Sequence, residues 1–367
     1  MRFAILGTRG IPARYGGFET FAEELSTRLA KRGHQVTVYC RERHSELTYH
    51  PEQTYRGVRL QYLPTIRHKY FETIVHTALS TLHVLGSRYD ALLYCNAANA
   101  VFTWMPRAVG TPVALNVDGL ERHRKKWNAL AKAWYRWSEW LATWMPNAVV
   151  TDAQAIAQYY REKYRRDSAM IPYGADVGTV ESTSILEKLG LEPKKYFLYV
   201  SRMEPENNGL LVREAFERVS TDLKLALIGD APYAADYVAR VRDTHDARVV
   251  IPGAVYGQGY GELGSHCFAY IQATEVGGTH PALIEAMGRG ALILYLDTPE
   301  NAEVAGGAGL PFTHQNLTHA MERLLAMTEE DRQCWRARAR ERVQSRYSWE
   351  AVTDSYEKLL EGLAKLS

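Results

Sequence analysis

The segment RFAILGTRGIPARYGGFETFAEELSTRLAKRG (residues 2–33) contains three successive parts that together indicate an α/β fold. A short apolar run ends at Gly7, a glycine-rich loop follows, and apolar residues then recur at helical spacing from Phe18 to Arg32. Gly33 marks the expected end of this helix. A buried strand, a loop and an amphipathic helix form the repeating unit of parallel α/β sheets.

The rest of the chain repeats this alternation in two consecutive series, which favours parallel sheets covered by helices on both faces. A chain of 367 residues is also longer than one hydrophobic core usually grows. We therefore predict an N-terminal Rossmann-like domain over residues 1–172, a C-terminal Rossmann-like domain over 173–347, and a helix in 348–367 that returns to the first domain. Two doubly wound domains of this kind face a cleft, and ligands bind at the carboxyl ends of their strands.

Composition limits the classes of function. Apolar residues make up 46% and charged residues 23% of the chain, as in ordinary globular proteins. The formal net charge of +2 excludes a protein that binds polyanions through bulk charge, so no nucleic-acid partner is expected. The four cysteines lie far apart without metal-ligand spacing, which indicates reduced thiols in a cytoplasmic protein. No signal peptide and no apolar run of about 18 residues is seen, so any membrane contact is expected to be peripheral, at the inner face.

The glycine-rich loop before the first helix suits an anionic ligand. Gly16 and Gly17 stand at the predicted N-terminus of the helix, where backbone N–H groups and the helix dipole favour a phosphate. Arg9 and Arg14 add positive charge to the same loop. The G-x-G-x-x-G pattern of dinucleotide-binding proteins is absent, and a flexible surface loop is the alternative interpretation.

A second candidate stretch is VSRMEPENNG (residues 200–209), which follows a predicted strand. Its Arg202 has a planar fork of donors that suits a phosphate. The alternative is a surface arginine paired with Glu204 or Glu206.

A third candidate stretch is ATEVGGTHPALIEAMG (residues 273–288). Small residues precede Pro281 at the start of a predicted helix, and they leave amides available to phosphate or sugar oxygens. Glu285 lies about one turn further along, where it suits vicinal hydroxyls. The alternative for Glu285 is an exposed helical carboxylate.

Taken in order, these stretches resemble a family-4 retaining glycosyltransferase of the GT-B fold over essentially the whole chain. The matching segments are GGFET, IPYGAD, VSRMEPENN, LIGDAP, EVGGTHPALIEAM and RYSWEAVTDSYEKLL. The longer signature RGIPARYGGFETFAEEL, together with NVDGLERHRKKW and EVGGTHP, is more narrowly similar to a rhamnosyltransferase-like branch. Members of that branch use dTDP-L-rhamnose in building surface polysaccharides.

The resemblance implies a role for each matching residue. The C-terminal domain would bind the nucleotide sugar, with Val255 near the base and Glu285, the second glutamate of the family's E-x7-E motif, on the ribose. Domain closure would bring Gly17 and Arg202 onto one diphosphate. The full set of implied contacts to the diphosphate and sugar is Gly16, Gly17, Arg202, Asn207, Gly277, Gly278, Thr279 and His280.

The sequence departs from the family pattern at two of these positions. Asn207 replaces the lysine that usually follows Arg202 by five residues, so one cation is missing. Gly277 replaces the first glutamate of E-x7-E, and Glu275 lies two residues earlier. Both departures lie in stretches that resemble the rhamnosyl branch, and we interpret them as donor specialisation.

The predicted catalytic residues are Asp118, Glu121 and Arg202. Asp118 ends a predicted strand where many relatives place a histidine that faces the donor sugar. An aspartate there would orient the acceptor hydroxyl or take its proton, with Glu121 and His123 as competitors and a helix N-cap as the alternative role for Asp118. Arg202 and helix dipoles would neutralise the leaving diphosphate. Because no D-x-D pattern is present, neither a metal nor another cofactor is expected.

Residues 121–145 predict an amphipathic, basic helix that holds five of the eight tryptophans. Apolar residues at steps of three and four predict one face packed on the sheet, namely Leu130, Trp134, Trp137, Leu141 and Trp144. The alternative is an interfacial patch that meets anionic lipid through Trp127, Trp140, Arg122, Arg124, Lys125 and Lys126.

Together these features predict a glycosyltransferase, specifically a retaining hexosyltransferase that uses dTDP-L-rhamnose and a saccharide or lipid-linked saccharide acceptor. Within the same class, the alternative is a UDP-glucose or GDP-mannose donor. Outside that class, the competing hypotheses are a sugar-nucleotide epimerase of the same fold, a dinucleotide-dependent dehydrogenase and an inactive nucleotide-sugar-binding protein. The missing G-x-G-x-x-G counts against the dehydrogenase, and turnover of the donor would exclude the inactive protein.

Overall fold

A computed structural model of the protein describes residues 1–13, 16–42, 53–66, 68, 71–124, 127–231 and 234–365. These residues form two compact units. The first contains Met1–His123, Trp127–Tyr173 and the C-terminal segment from Trp349, and the second contains Gly174–Ser348. Arg124 also groups with the second unit, whereas the sequence-based division keeps it in the N-terminal domain. The predicted site residues Arg14, Lys125 and Lys126, and the side chain of His123, lie outside the described residues.

Each unit contains one sheet. The strands of the first are β1 (Arg2–Leu6), β2 (Gln35–Arg41), β3 (Thr54–Tyr55), β4 (Val58–Leu63), β5 (Ala91–Cys95), β6 (Val113–Asn116), β7 (Ala148–Thr151) and β8 (Ala169–Met170). Their order is β3-β4-β2-β1-β5-β6-β7-β8, and every pairing is parallel except β3 with β4. The strands of the second are β9 (Tyr196–Val200), β10 (Lys224–Ile228), β11 (Val249–Gly253), β12 (Ala269–Gln272), β13 (Leu292–Leu296) and β14 (Leu310–Phe312). Their order is β11-β10-β9-β12-β13-β14, all parallel.

Helices follow most strands, which confirms the two Rossmann-like domains. They are α1 (Gly17–Lys31), α2 (Glu72–Leu85), α3 (Trp104–Ala108), α4 (Ala129–Ala142), α5 (Gln154–Tyr164), α6 (Ser184–Leu189), α7 (Gly209–Glu217), α8 (Ala235–Arg242), α9 (Gly257–His266), α10 (Pro281–Gly288), α11 (Pro299–Ala305), α12 (Leu317–Ala326), α13 (Glu329–Arg346) and α14 (Trp349–Ala364). Short 3-10 helices span Ala97–Phe102, Glu121–His123 and Pro205–Asn207. Within the described part of the chain, none of the helices combines the length and the apolar character needed to cross a bilayer.

Central strands are buried on both faces, which explains their uninterrupted apolar sequences. Every residue of β5 and of β13 is buried. Parallel strands covered by helices on both sides have no solvent face, so polar residues do not alternate with apolar ones. The central strands of both sheets were therefore predictable from short apolar runs in the sequence.

Two glycines at strand ends allow neighbouring loops to approach closely. A Cβ atom at Gly7, where φ is +89°, would lie 2.4 Å from the carbonyl oxygen of Cys95. At Gly229, where φ is +145°, it would lie 1.8 Å from the carbonyl oxygen of Ser201. Only glycine tolerates such contacts, so the loop after β1 lies against the end of β5, and the loop after β10 lies against the residue that follows β9.

The C-terminal helix α14 belongs to the first unit, as the resemblance implies. The guanidinium of Arg32 lies 2.6–2.7 Å from carboxylate oxygens of Glu350, Asp354 and Glu357. Deeper in the unit, the Asn116 side-chain amide donates a hydrogen bond of 2.8 Å to the Tyr356 hydroxyl. The last helix of the chain therefore reaches the end of β6, which lies beside a predicted catalytic residue.

The orientation predicted for the aromatic helix is wrong in part. Leu141 is buried, but Leu130, Trp137 and Trp144 expose 79%, 44% and 50% of their surface. The buried face of α4 is instead Tyr135, Ser138, Glu139, Leu141 and Ala142.

A buried carboxylate explains this rotation of α4. Glu139 is only 2% exposed, and its oxygens accept hydrogen bonds from the Arg122 Nε (2.9 Å) and from the Tyr159 hydroxyl (2.9 Å). A buried charge needs such partners, and the partners lie on the 3-10 helix before α4 and on α5. The polar network therefore faces inward and leaves the indole rings outside.

Candidate functional site

The N-terminus of α1 presents backbone donors at the carboxyl end of β1. Gly16 is the N-cap residue, and its carbonyl accepts hydrogen bonds of 3.2 Å from the N–H groups of Glu19 and Thr20. Within the described residues, the N–H groups of Gly17 and Phe18 have no acceptor. These groups and the dipole of a 15-residue helix suit an anion.

Carboxylates of α1 hold the loop that precedes it. Glu19 accepts a hydrogen bond of 3.0 Å from the Arg9 N–H, and Glu23 accepts one of 2.6 Å from the Ala13 N–H. The Arg9 guanidinium lies 3.8 Å from Glu72, which also pairs with Arg41 at 3.2 Å. The described part of this loop is therefore anchored, in contrast to the flexible loop that was the alternative interpretation.

Asp118 follows β6 in a conformation that is uncommon for a residue with a side chain. Its φ is +57°, in the left-handed region, and its N–H donates a hydrogen bond of 2.9 Å to the Asn116 side-chain oxygen. The buried Tyr173 hydroxyl lies 3.4 Å from Asp118 Oδ1 and donates to it. Burial, with the charge of Asp118, raises the pKa of Tyr173, so this hydroxyl stays protonated and keeps donating.

The surroundings of Asp118 separate the alternatives for its role. The nearest helix begins at Glu121, so Asp118 is not at the N-cap position. Left-handed conformations of non-glycine residues collect at functional sites. Glu121, the competitor, accepts a hydrogen bond of 3.4 Å from the Trp127 indole nitrogen. Trp127 in turn packs on Tyr135 with ring centroids 5.5 Å apart, so Glu121 and Trp127 support each other.

Arg202 lies two residues after the end of β9, at the carboxyl end of the second sheet. Its side chain is 38% exposed, and its nearest carboxylate is Glu204, 3.9 Å away. Glu206, the other partner considered from the sequence, is fully buried. The guanidinium therefore has a loose contact with Glu204 and keeps donors available for a ligand.

The buried side chain of Asn207 is hydrogen bonded to the backbone of Arg202. It is 2% exposed, and its side-chain nitrogen donates a hydrogen bond of 2.7 Å to the Arg202 carbonyl oxygen. The direct donor contact predicted for Asn207 does not match this geometry, because the amide is engaged in the turn. Asn207 is therefore a positioning residue for Arg202.

In the segment from Gly277 to His280, a glutamate at position 277 would require the His280 ring to move. A Cβ atom at Gly277 would lie 2.3 Å from Cε1 of the His280 ring. The ring thus occupies the space that a side chain at 277 would need. Glu275, two residues earlier, is hydrogen bonded within the protein: its Oε1 accepts from the Asn208 amide (3.1 Å) and from the His314 ring (3.0 Å).

His280 is the N-cap residue of α10, with Gly278 and Thr279 buried before it. Burial of the imidazole, together with the charge of Arg124, lowers the pKa of His280 to about 3. The ring is therefore neutral at neutral pH and offers one donor and one acceptor. Sequence inspection places His280 at the helix start but gives no sign of its packing on Gly277.

Glu285 and Val255 both adjoin α9. The Tyr260 hydroxyl donates a hydrogen bond of 2.5 Å to Glu285 Oε2. Val255 lies just before α9, and a Cβ atom at Gly259 would be 3.1 Å from its Cγ1. Tyr260 is therefore a further candidate residue, which the sequence alone did not reveal because its helix is rich in glycine.

The predicted residues thus collect at the carboxyl ends of strands within each unit. In the second unit, Arg202 follows β9 and the segment with His280 follows its neighbour β12. In the first unit, Gly17 follows β1 and Asp118 follows β6.

One group of side chains has the spacing of metal ligands. Among the described residues, only His34, Glu357 and Glu361 place their ligand atoms within 4.8 Å of one another. Glu357 is already hydrogen bonded to the His34 ring (2.6 Å) and to Arg32 (2.6 Å). The group lies before β2, at the end of the sheet opposite to Asp118, and its His34 and Glu357 take part in an ion-pair network with Arg32.

Two family matches divide the chain as the fold does. Residues 1–176 match a domain of unknown function, DUF1972, and residues 194–327 match the family described as "Glycosyl transferases group 1". No curated protein matches the sequence.

Several solved structures have the same two-domain fold. Sucrose-phosphate synthase from Thermosynechococcus elongatus superposes with a TM-score of 0.80 at 18% identity, over 100% of both chains. Anabaena Alr3699/HepE, solved with UDP and with UDP-glucose, gives TM-scores of 0.76 and 0.78 at 15% identity, over 99% of this chain and 100% of that chain. The α,α-trehalose-phosphate synthase (UDP-forming) from Burkholderia xenovorans, solved with glucose-6-phosphate, gives 0.77 at 11% identity, over 98% and 100%.

At these identities the structural likeness establishes the fold, which is GT-B. The family match supplies the class of chemistry, because it covers the unit that carries Arg202, His280 and Glu285. The match of residues 194–327 to that family, within a GT-B fold, identifies the chain as an enzyme of the glycosyltransferase class.

Proposed function

We propose that the protein is a retaining glycosyltransferase that transfers L-rhamnose from dTDP-L-rhamnose to a saccharide or lipid-linked saccharide acceptor in surface polysaccharide synthesis. The observation that carries the transferase proposal is the placement of Arg202, His280 and Glu285 after two neighbouring strands, β9 and β12, at the carboxyl end of the second sheet. The choice of donor and the retention rest on the resemblance of the N-terminal signature and of EVGGTHP to the rhamnosyl branch.

Each of these residues suits one part of a nucleotide sugar. Arg202 would bind the diphosphate through its planar fork. The helix start with Gly278, Thr279 and His280 would offer amides to phosphate or sugar oxygens. Glu285, oriented by Tyr260, would accept hydrogen bonds from the ribose hydroxyls.

In the first unit, the amides of Gly16 and Gly17 would bind an anionic group, and Asp118 would act on the acceptor hydroxyl. The Asp118 carboxylate would accept the hydroxyl proton or orient the hydroxyl through a hydrogen bond. Tyr173 would hold this carboxylate in place.

A UDP-sugar is the second candidate donor. Anabaena Alr3699/HepE, which has the same fold, was solved with UDP-glucose. That likeness concerns the fold, and it makes UDP-glucose the donor to compare with dTDP-L-rhamnose in a binding experiment.

The proposal is tested first by a thermal-shift comparison of dTDP-L-rhamnose, UDP-glucose, GDP-mannose and the corresponding nucleoside diphosphates. A ligand at 100 times its Kd stabilises a protein by about 2.7 kcal/mol, which is readily measured. We expect the largest shift with dTDP-L-rhamnose. A larger shift with UDP-glucose would select the alternative donor, and no shift with any of them would contradict the transferase proposal.

The second step is product analysis by NMR. With a saccharide acceptor, we expect a product whose anomeric configuration equals that of the donor sugar. Conversion of the nucleotide sugar without an acceptor would indicate an epimerase, and an inverted product would contradict retention.

Catalysis is expected to be independent of divalent metal. Glu275 is engaged with Asn208 and His314, and among the described residues no group of side chains with metal-ligand spacing includes a carboxylate of the second unit. Arg202 and the helix dipole of α10 would neutralise the leaving diphosphate. Initial rates should therefore be unchanged in EDTA. Loss of activity in EDTA that magnesium or manganese restores would overturn this expectation.

Peripheral binding to anionic membranes is the remaining part of the proposal. Trp140 and Trp144 are about half exposed, and their rings pack edge to face with centroids 5.3 Å apart. The adjoining α3 exposes half of Trp104. Lys132 and Arg136 are exposed on α4 and complement an anionic surface. Trp127, which is half-buried on Tyr135, is not part of this surface.

We expect weak binding to vesicles that contain an anionic phospholipid, because each basic residue near such a surface contributes about 1 kcal/mol. Co-sedimentation should fall in high salt and in the double variant Trp140→Ser/Trp144→Ser. Leu82→Ser, which changes an exposed apolar residue of α2, is the matched control. Binding that is absent at low salt, or that resists high salt, would contradict the prediction.

A further inference from the structure

A cavity of about 270 Å³ lies in the second unit at the amino ends of β9, β12 and β13. The residues that line it include Lys194 before β9, His266 before β12 and Gly290 before β13. Arg336 and Arg340 of α13 complete the lining. The cavity is at the opposite edge of the sheet from Arg202, so it is separate from the candidate donor site.

Three cations face this cavity, and their positions are fixed by the fold. The Lys194 ammonium donates hydrogen bonds to the carbonyl oxygens of Ser265 (2.8 Å) and Cys267 (3.3 Å). Lys194 has a φ of +62°, which is rare for a residue with a side chain. Although the residue as a whole is exposed, burial of its ammonium and the nearby charges of Arg336 and Arg340 lower the pKa of Lys194.

The two arginines lie four residues apart on one face of α13. Arg340 packs flat on Gly290, where a Cβ atom would lie 2.4 Å from the guanidinium Nε, and it donates a hydrogen bond of 3.1 Å to the Arg289 carbonyl. Arg336 is 17% exposed and contacts Glu329 at 2.9 Å, but its buried Nε has no partner among the described residues.

Acidic groups only partly balance these cations. Glu181 is the carboxylate in the lining, and it accepts a hydrogen bond of 3.2 Å from the Thr179 hydroxyl. Glu329 lies beside Arg336. Three cationic side chains (Lys194, Arg336 and Arg340) face two carboxylates (Glu181 and Glu329), so the cavity carries a net positive charge. The arginines also keep hydrogen-bond donors that a ligand can use.

We infer that this cavity binds a phosphate group, either as the free ion or on a small phosphorylated molecule. Arginine guanidinium groups match the oxygens of a phosphate in pairs, and a lysine ammonium adds a point charge. The cavity is smaller than those that hold drug-sized ligands, so the ligand is expected to be small. This inference is independent of the proposed transferase reaction.

The test measures binding of inorganic phosphate, pyrophosphate and glucose-1-phosphate by calorimetry, with sodium chloride at equal ionic strength as the reference. Wild-type protein should bind at least one of them saturably. Arg336→Gln/Arg340→Gln should weaken that binding by about tenfold or more, because charge-assisted hydrogen bonds are lost. Arg338→Gln, an exposed arginine of the same helix, should leave binding unchanged.

Two further variants keep the outcome clear. Arg202→Ala should retain the binding, because phosphate at the donor site would be lost in that variant and phosphate at this cavity would not. Arg340→Lys keeps the charge but loses the paired donors of the guanidinium, so its phosphate affinity should lie between those of the wild type and the double variant. This variant provides the test if the double variant does not fold. Tighter binding of inorganic phosphate would identify the free ion as the ligand, and tighter binding of glucose-1-phosphate would identify a small phosphorylated molecule. Binding no stronger than that of chloride, or equal in the wild type and the arginine variants, would overturn the inference.

Discussion

Asp118→Asn should lower kcat on the order of 100- to 10,000-fold, the range that a positioned acid or base contributes. The carboxylate lies at the carboxyl end of β6, where its backbone is held by Asn116 and its Oδ1 accepts from Tyr173. A group that takes a proton from the acceptor, or that orients the acceptor through its charge, cannot be replaced by a neutral amide. The loss should therefore appear in kcat.

The substitution removes charge with little change in structure. Asp118 has a φ of +57°, and asparagine occupies the left-handed region at least as readily as aspartate. The asparagine oxygen can still accept the Tyr173 hydroxyl. The free energy of unfolding of the variant should therefore lie within about 0.5 kcal/mol of the wild-type value, because the substitution disrupts no packing.

Glu121→Gln is the matched control, because Glu121 is the competing carboxylate and contacts Trp127. We expect it to change kcat much less than Asp118→Asn. A large loss in Glu121→Gln with wild-type turnover in Asp118→Asn would transfer the role to Glu121. A rise in the acceptor KM alone in Asp118→Asn would limit Asp118 to acceptor binding.

The strands and the first helix were predictable because local pattern and tertiary role agree there. β5 and β13 are wholly buried, so their apolar runs are visible without any knowledge of their neighbours. The helix predicted from Phe18 begins at Gly17, one residue earlier. The loop glycines at the end of β1 and before α1 mark the same strand–loop–helix unit.

Elements stabilised by tertiary contacts were less visible in the sequence. The helix α9 has the sequence GQGYGELGSH, in which glycine disfavours a helix by about 1 kcal/mol per residue relative to alanine. Close packing favours glycine at one of these positions, because a Cβ atom at Gly264 would lie 2.7 Å from the Arg289 side chain. For α4 the sequence predicts the helix but not its buried face. The regular apolar spacing indicates one face, whereas the buried Glu139 lies on another.

The two departures from the family pattern have local physical explanations that the sequence could not supply. Gly277 lies beneath the His280 ring, so a glutamate there would require the ring to move. Asn207 is buried and holds the Arg202 carbonyl, a role that neither its type nor its spacing reveals. A sequence reveals that a residue differs from a motif, but the neighbour that occupies the space is set by the tertiary fold.

Arg202→Ala should lower kcat/KM on the order of 10- to 150-fold. A charged hydrogen bond contributes roughly 1.5–3 kcal/mol, and about 1.4 kcal/mol corresponds to a factor of ten in rate. With Asn207 in place of the usual lysine and its amide engaged in the turn, Arg202 is the side-chain cation that the 202–207 turn offers to a diphosphate. Charge on the diphosphate grows as the glycosidic bond breaks, so the arginine should stabilise the transition state more than the bound donor.

Arg202→Lys should recover only part of this loss, because an ammonium keeps the charge but not the paired donors of the guanidinium. Arg240→Ala, which removes an exposed arginine of α8, should leave kcat/KM unchanged. All three variants should remain folded, since the Arg202 side chain is 38% exposed and contacts only Glu204 at 3.9 Å among the ion pairs of the described residues. If folded Arg202→Ala turned over the donor at the wild-type rate, the diphosphate would have to bind elsewhere, and the carboxyl end of β9 would lose its place in the candidate site.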